Sequence, residues 1–139
     1  MAQVGTGEYR YELIRDFFKL PAGQSFGLVS RVAADGQDRI YVFQRKDPPV
    51  VVFDREGKYL GAWGSGEVTD PHGLKIVGDV VYTTDRSDSV AKSFTLDGKP
   101  LLELGQRGVH PQRAGREPRR GWPGCAGLGL RWRGSPAWS

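Results

Sequence analysis

The chain has 139 residues, 38% hydrophobic and 26% charged, with 20 glycines and one cysteine, a balance that suits one folded domain with a core of its own. Its longest purely apolar run, 50–53, is far too short to cross a membrane as a helix, the first ten residues lack the apolar stretch of a secretory signal, and the single Cys125 excludes an internal disulfide framework; a cytoplasmic location is expected. The net charge of +4 is unevenly held: residues 1–108 carry 14 Lys and Arg against 15 Asp and Glu, whereas residues 109–139 carry six Arg, one Glu and no Lys.

In chain order, residues 1–26 read as a lead-in containing one outer strand. From 27 onward short strand-like runs alternate with turn residues: "GLVSRVA" (27–33), "IYVF" (40–43), "VVVF" (50–53) and "YLGAW" (59–63), then "HGLKIV" (72–77), "VVYTT" (80–84), "VAKSF" (90–94) and "LLEL" (101–104). β-Branched and aromatic residues dominate these runs, as strands prefer. No apolar stripe of helical period reaches helical length. The third and fourth runs of each group are joined by "DREG" and "TLDG", and an acid–glycine pair between strand-like segments signals a tight hairpin.

The two groups echo one another. "FDREGKYLGAWG" (53–64) and "FTLDGKPLLELG" (94–105) share Phe53/Phe94, Gly57/Gly98, Lys58/Lys99, Leu60/Leu101 and Gly64/Gly105, each pair 41 residues apart, and Tyr41 precedes Tyr82 by the same 41. Four antiparallel strands repeating at this period describe β-propeller blades. The expected fold is therefore all-β, with two four-stranded antiparallel blades over 27–108. Beyond 109 the composition changes: "HPQRAGREPRRGWPGCAGLGLRWRGSPAWS" holds three of the four Trp and no Asp, Ile, Tyr, Phe or Thr. This segment reads as a disordered tail; its Arg, Gly, Pro, Ala and Trp are what GC-rich codons yield out of frame. An Arg/Gly-rich nucleic-acid-binding tail is a further reading, but no RGG-like repeat is present, and nucleic acid is not the expected partner.

The stretch "PHGLKIVGDVVYTTDRSDSVAKSFTLDGKPLLELG" (71–105) resembles the NHL repeat, specifically the propellers related to peptidyl-α-hydroxyglycine α-amidating lyase, and "YELIRDFFKLPAGQSFG" (11–27) is similar to the lead-in of bacterial members. The resemblance implies a six-bladed ring, of which this chain holds two blades. It also implies a zinc-ligand role for His72, the histidine of the Pro-His-Gly motif. In the complete family member zinc is held by three histidines from different repeats; here His110 lies outside any matching motif, and Ser89 stands where many relatives carry histidine. No zinc is expected in this chain.

Antiparallel pairing places the start of a blade's first strand beside the end of its second. His72 and Asp85, Arg86, Ser87 and Asp88 thus share one face, together with Phe26 and the 44–47 loop of the first blade. Arg45, Lys46 and Arg86 are candidate cations for an anionic ligand there; Asp85 and Asp88 complete the candidate ligand face, with Asp85 also read as a cap on the following turn. No catalytic residue is assigned. The expected function is a ligand- or protein-binding propeller module; the alternative is part of a zinc-dependent, lyase-like enzyme whose site lies at the channel mouth. Open blade edges invite self-association, and a small molecule or peptide is the ligand expected of a full ring.

Overall fold

The computed structural model describes residues 2–109. Among them there is no helix, hence none long and apolar enough to cross a membrane. Ten strands form three antiparallel sheets. The smallest is a hairpin of β1 (Ala2–Thr6) and β2 (Tyr9–Leu13). Sheet one contains β3 (Val29–Ala34), β4 (Ile40–Gln44), β5 (Val50–Phe53) and β6 (Tyr59–Trp63). Sheet two contains β7 (Pro71–Val77), β8 (Val80–Asp85), β9 (Val90–Thr95) and β10 (Pro100–Leu104). Both larger sheets run in simple sequence order, each strand paired with the next.

The 41-residue phase is kept at the level of individual pairs. Tyr41 faces Val52 and Tyr82 faces Ser93; Phe43 faces Val50 and Thr84 faces Ala91; Val50 faces Trp63 and Ala91 faces Leu104. The bulges recur too, one between β5 and β6 and its counterpart between β9 and β10. The hairpin turns are superimposable in their bonding: Gly57 N donates to Asp54 O as Gly98 N donates to Thr95 O, each at 3.0 Å. Asp54 Oδ1 accepts from the Lys58 amide, and Thr95 Oγ accepts from the Lys99 amide. Gly57 and Gly98 close these turns at φ 81° and 89°, a left-handed conformation that other residues adopt at a cost.

Alternation along the strands sorts side chains onto two faces. On sheet one the forward face (Tyr41, Phe43, Val50, Val52 and Trp63) packs against Leu74, Ile76, Val81 and Phe94 of sheet two; the Trp63 and Phe94 rings lie 5.3 Å apart. The rear face of sheet one (Val42, Val51, Phe53) is covered by Phe18, Leu20 and Phe26 of the lead-in. Phe53 is the hub, with Phe18 at 4.7 Å and Phe26 at 5.8 Å between ring centroids. Sheet one is therefore the middle layer, and β4 and β5 are buried almost throughout.

The lead-in differs from the single outer strand expected of it. Its first half is the β1–β2 hairpin, whose second strand is exposed along its whole length. Its second half adds, besides that packing, one parallel backbone bridge, Lys19 to Lys58, in which the Lys19 amide donates to Gly57 O at 2.8 Å. Phe26, expected on the ligand face, is drawn into the aromatic cluster under sheet one instead, where it is partly buried. The tail expected to be disordered lies outside the described residues.

Candidate functional site

The rim where each first strand begins and each second strand ends is built by the same device in both sheets. Gln44 and Asp85 occupy equivalent positions and both are buried. In sheet one, Gln44 Oε1 accepts from the Gly27 amide at 2.8 Å and its Nε2 donates to Pro48 O at 3.0 Å. In sheet two, Asp85 Oδ2 accepts from the Thr69 and Asp70 amides and Oδ1 from the Asp88 amide. Each side chain thus ties the incoming segment to the outgoing loop. Burial favours the neutral acid at Asp85, but the surrounding amides of Asp88, Thr69, Asp70 and Ser87 outweigh it and hold the carboxyl below its ordinary value. This is the capping role for Asp85.

Asp70, which no motif singles out, organises the rest of the rim. Arg45 of sheet one reaches its Oδ1 at 3.0 Å and also donates to Pro71 O at 3.3 Å. Arg86 of sheet two meets Oδ2 at 2.8 Å, and Ser87 Oγ donates to the same atom at 3.2 Å. Desolvation works the other way, yet Arg86, Ser87 and Arg45 together lower the Asp70 pKa. The two arginines read as ligand-binding cations are thus both engaged by one carboxylate that joins the sheets. Lys46 donates to Ser25 O at 2.7 Å. Asp88 accepts from Thr69 Oγ1 at 2.9 Å and faces Arg107 Nε at 3.6 Å.

His72 is the extra residue of the bulge between Pro71, opposite Asp85, and Gly73, opposite Thr84, and it is exposed. Ser89 sits in the β8–β9 turn at φ 56°. Among the described residues no three His, Cys, Asp or Glu side chains are grouped to hold a metal ion. The donors do not fit the three-histidine zinc site implied by the resemblance: one exposed histidine stands beside carboxylates already bound to backbone amides and arginines. No chemical step through zinc follows from these residues.

A second feature lies on the forward face of sheet two. By the repeat, Tyr82, Thr84, Ala91, Ser93, Leu102 and Leu104 are the counterparts of Tyr41, Phe43, Val50, Val52, Gly61 and Trp63, the face of sheet one that receives sheet two. In sheet two nothing covers it among the described residues: Tyr82 is 48% exposed, Leu102 55% and Leu104 60%. A groove of about 300 Å³ runs across it. Next to it Lys92, only 8% exposed at its side chain, is held by Glu67 at 2.8 Å and Glu103 at 2.9 Å. Burial disfavours its charge, but these two carboxylates raise its pKa on balance.

No protein-family model matches the chain, and no curated protein matches it. The fold and rim define an all-β protein made of a repeated four-stranded antiparallel sheet.

Proposed function

We propose that residues 27–108 are two successive blades of an NHL-type β-propeller and that they serve as a protein-binding module through the forward face of sheet two. The observation that carries this reading is the repeat-equivalence of that face with the one by which sheet one packs on sheet two. An exposed, contiguous apolar surface of this kind marks an interaction site, and a blade's faces are satisfied by neighbouring layers. The rim adds adhesion: Arg45, Asp70 and Arg86 staple one layer to the next, and among the described residues no metal-ligand set is grouped there.

The test is sedimentation velocity over a hundredfold range of concentration. The chain is expected to associate reversibly. Leu102→Glu combined with Leu104→Glu, both at exposed positions, should give a folded monomer. A parent chain that stays a single monomer at every concentration and binds no β-rich partner would overturn the reading.

A further inference from the structure

The groove on the forward face of sheet two is chemically lopsided. Its floor and walls are apolar or small: Tyr82, Ala91, Leu102 and Leu104. Two cations, Arg31 of β3 and Lys75 of β7, line it as well, and neither side chain has an ion-pair or hydrogen-bond partner among the described residues. The third cation along it, Lys92, is already neutralised by Glu67 and Glu103. No carboxylate is among its described lining residues.

The substitutions between the two sheets explain why there is a groove at all. In sheet one the equivalent surface is filled by Phe43, Val50 and Val52; in sheet two the same positions hold Thr84, Ala91 and Ser93. The smaller side chains leave a trough between Tyr82 on one side and Leu102 and Leu104 on the other. Its volume reaches the lower end of what small-molecule sites occupy, roughly 300–1,000 Å³.

We propose that this groove binds a small amphiphilic carboxylate, with its hydrocarbon body on Tyr82, Ala91, Leu102 and Leu104 and its carboxylate between Arg31 and Lys75. Charge complementarity selects the class. A neutral hydrocarbon leaves two cations unpaired, and a plain anion leaves the apolar trough wet. An arginine-bound carboxylate gains strong, charge-assisted hydrogen bonds, and the aliphatic body gains free energy for each methylene removed from water. The site deepens the reading of this face as a binding surface and rests on it.

Octanoate is the probe, used on the full chain at concentrations below micelle formation and measured by isothermal titration calorimetry. One octanoate per chain is expected, with affinity falling as salt is raised. Octanol, with the same body and no charge, should bind at least roughly tenfold more weakly, as loss of one charge-assisted contact implies. Acetate should not bind measurably. Arg31→Gln with Lys75→Gln should bring octanoate down to the octanol level without altering the circular dichroism spectrum. Octanoate should also displace the self-associated species, because both claim the same face. Equal binding of octanoate and octanol, or an unchanged affinity in the double variant, overturns the proposal. So does absence of octanoate binding; if association through Leu102 and Leu104 persists in that case, the protein-binding reading stands without it.

Discussion

Sheets one and two have the same strand order, the same pairs at a 41-residue offset across their last three strands and the same hairpin turns, yet their forward faces have opposite fates. Tyr41 is fully buried and Tyr82 is 48% exposed. Backbone geometry is thus written locally, in turn glycines and in alternation, and repeats wherever that writing repeats. Burial depends on what lies next door. The side chains record the difference: the covered face carries Phe43, Val50 and Trp63, while the open one carries Thr84, Ala91 and Leu104.

The sharpest way to break the comparison is to truncate paired aromatics. Phe53 and Phe94 occupy the same repeat position and both are fully buried, one against the lead-in and one between the sheets. Alanine at either should cost about 3–5 kcal/mol. Tyr82→Ala should cost less than about 0.5 kcal/mol, as befits an exposed site, whereas Tyr41→Ala should rank with the phenylalanines. Chemical denaturation of the four variants checks this; equal losses at Tyr41 and Tyr82 would mean that Tyr82 is covered in solution.

The turns come next. A Cβ on Gly57 would lie 2.2 Å from the Phe17 carbonyl oxygen, and one on Gly98 would lie 2.5 Å from the Trp63 ring. Gly57→Ala and Gly98→Ala should each cost at least about 1 kcal/mol from the left-handed backbone alone. Gly57→Ala should be the worse of the two because it meets backbone. Thermal melts would show it, and the opposite order would mean that Trp63 yields less readily than the lead-in.

The smallest effect is the most selective. Asp85 has a depressed pKa when folded, so its contribution is full above its unfolded pKa, near 4, and is lost as pH falls through the lower folded value. Its counterpart Gln44 does not titrate. Amide protection at Thr69, Asp70 and Asp88, taken relative to the intrinsic exchange rate, should therefore fall on acidification below about pH 4, while protection at Gly27 stays constant. Asp85→Asn should flatten that response. Identical acid responses at Gly27 and Thr69 would show that global opening, not this clamp, governs the rim.

The strands of the two larger sheets were legible to within a residue or two, because acid–glycine turns and β-branched runs punctuate the chain and the echo fixes the phase. The gathering of Arg45, Arg86, Asp85 and Asp88 on one rim was legible for the same reason, since it follows from antiparallel pairing alone. Their partners were harder to read. Asp70 sits in a connecting loop with no motif of its own, although it immediately precedes the Pro71–His72 pair. Gln44 was within reach, being 41 residues before Asp85. The β1–β2 hairpin was missed although "YRYEL" alternates, because its side chains bury nothing that would mark a face. Nothing in the run 90–94 marks Lys92 as buried; only the positions of Glu67 and Glu103 in space account for it. The groove was invisible in principle, since it arises from small residues on neighbouring strands that sequence order keeps apart.

The lead-in that covers the rear of sheet one gives the stack a direction. One end is sealed by Phe18, Leu20 and Phe26, and among the described residues the other ends in bare sheet. In a nearest-neighbour description the layers are therefore unequal: among the described residues sheet one has two interfaces and sheet two has one, and cooperativity should decay from the sealed end outward. Unfolding is then expected to fray from β10 inward, with sheet one the last to open.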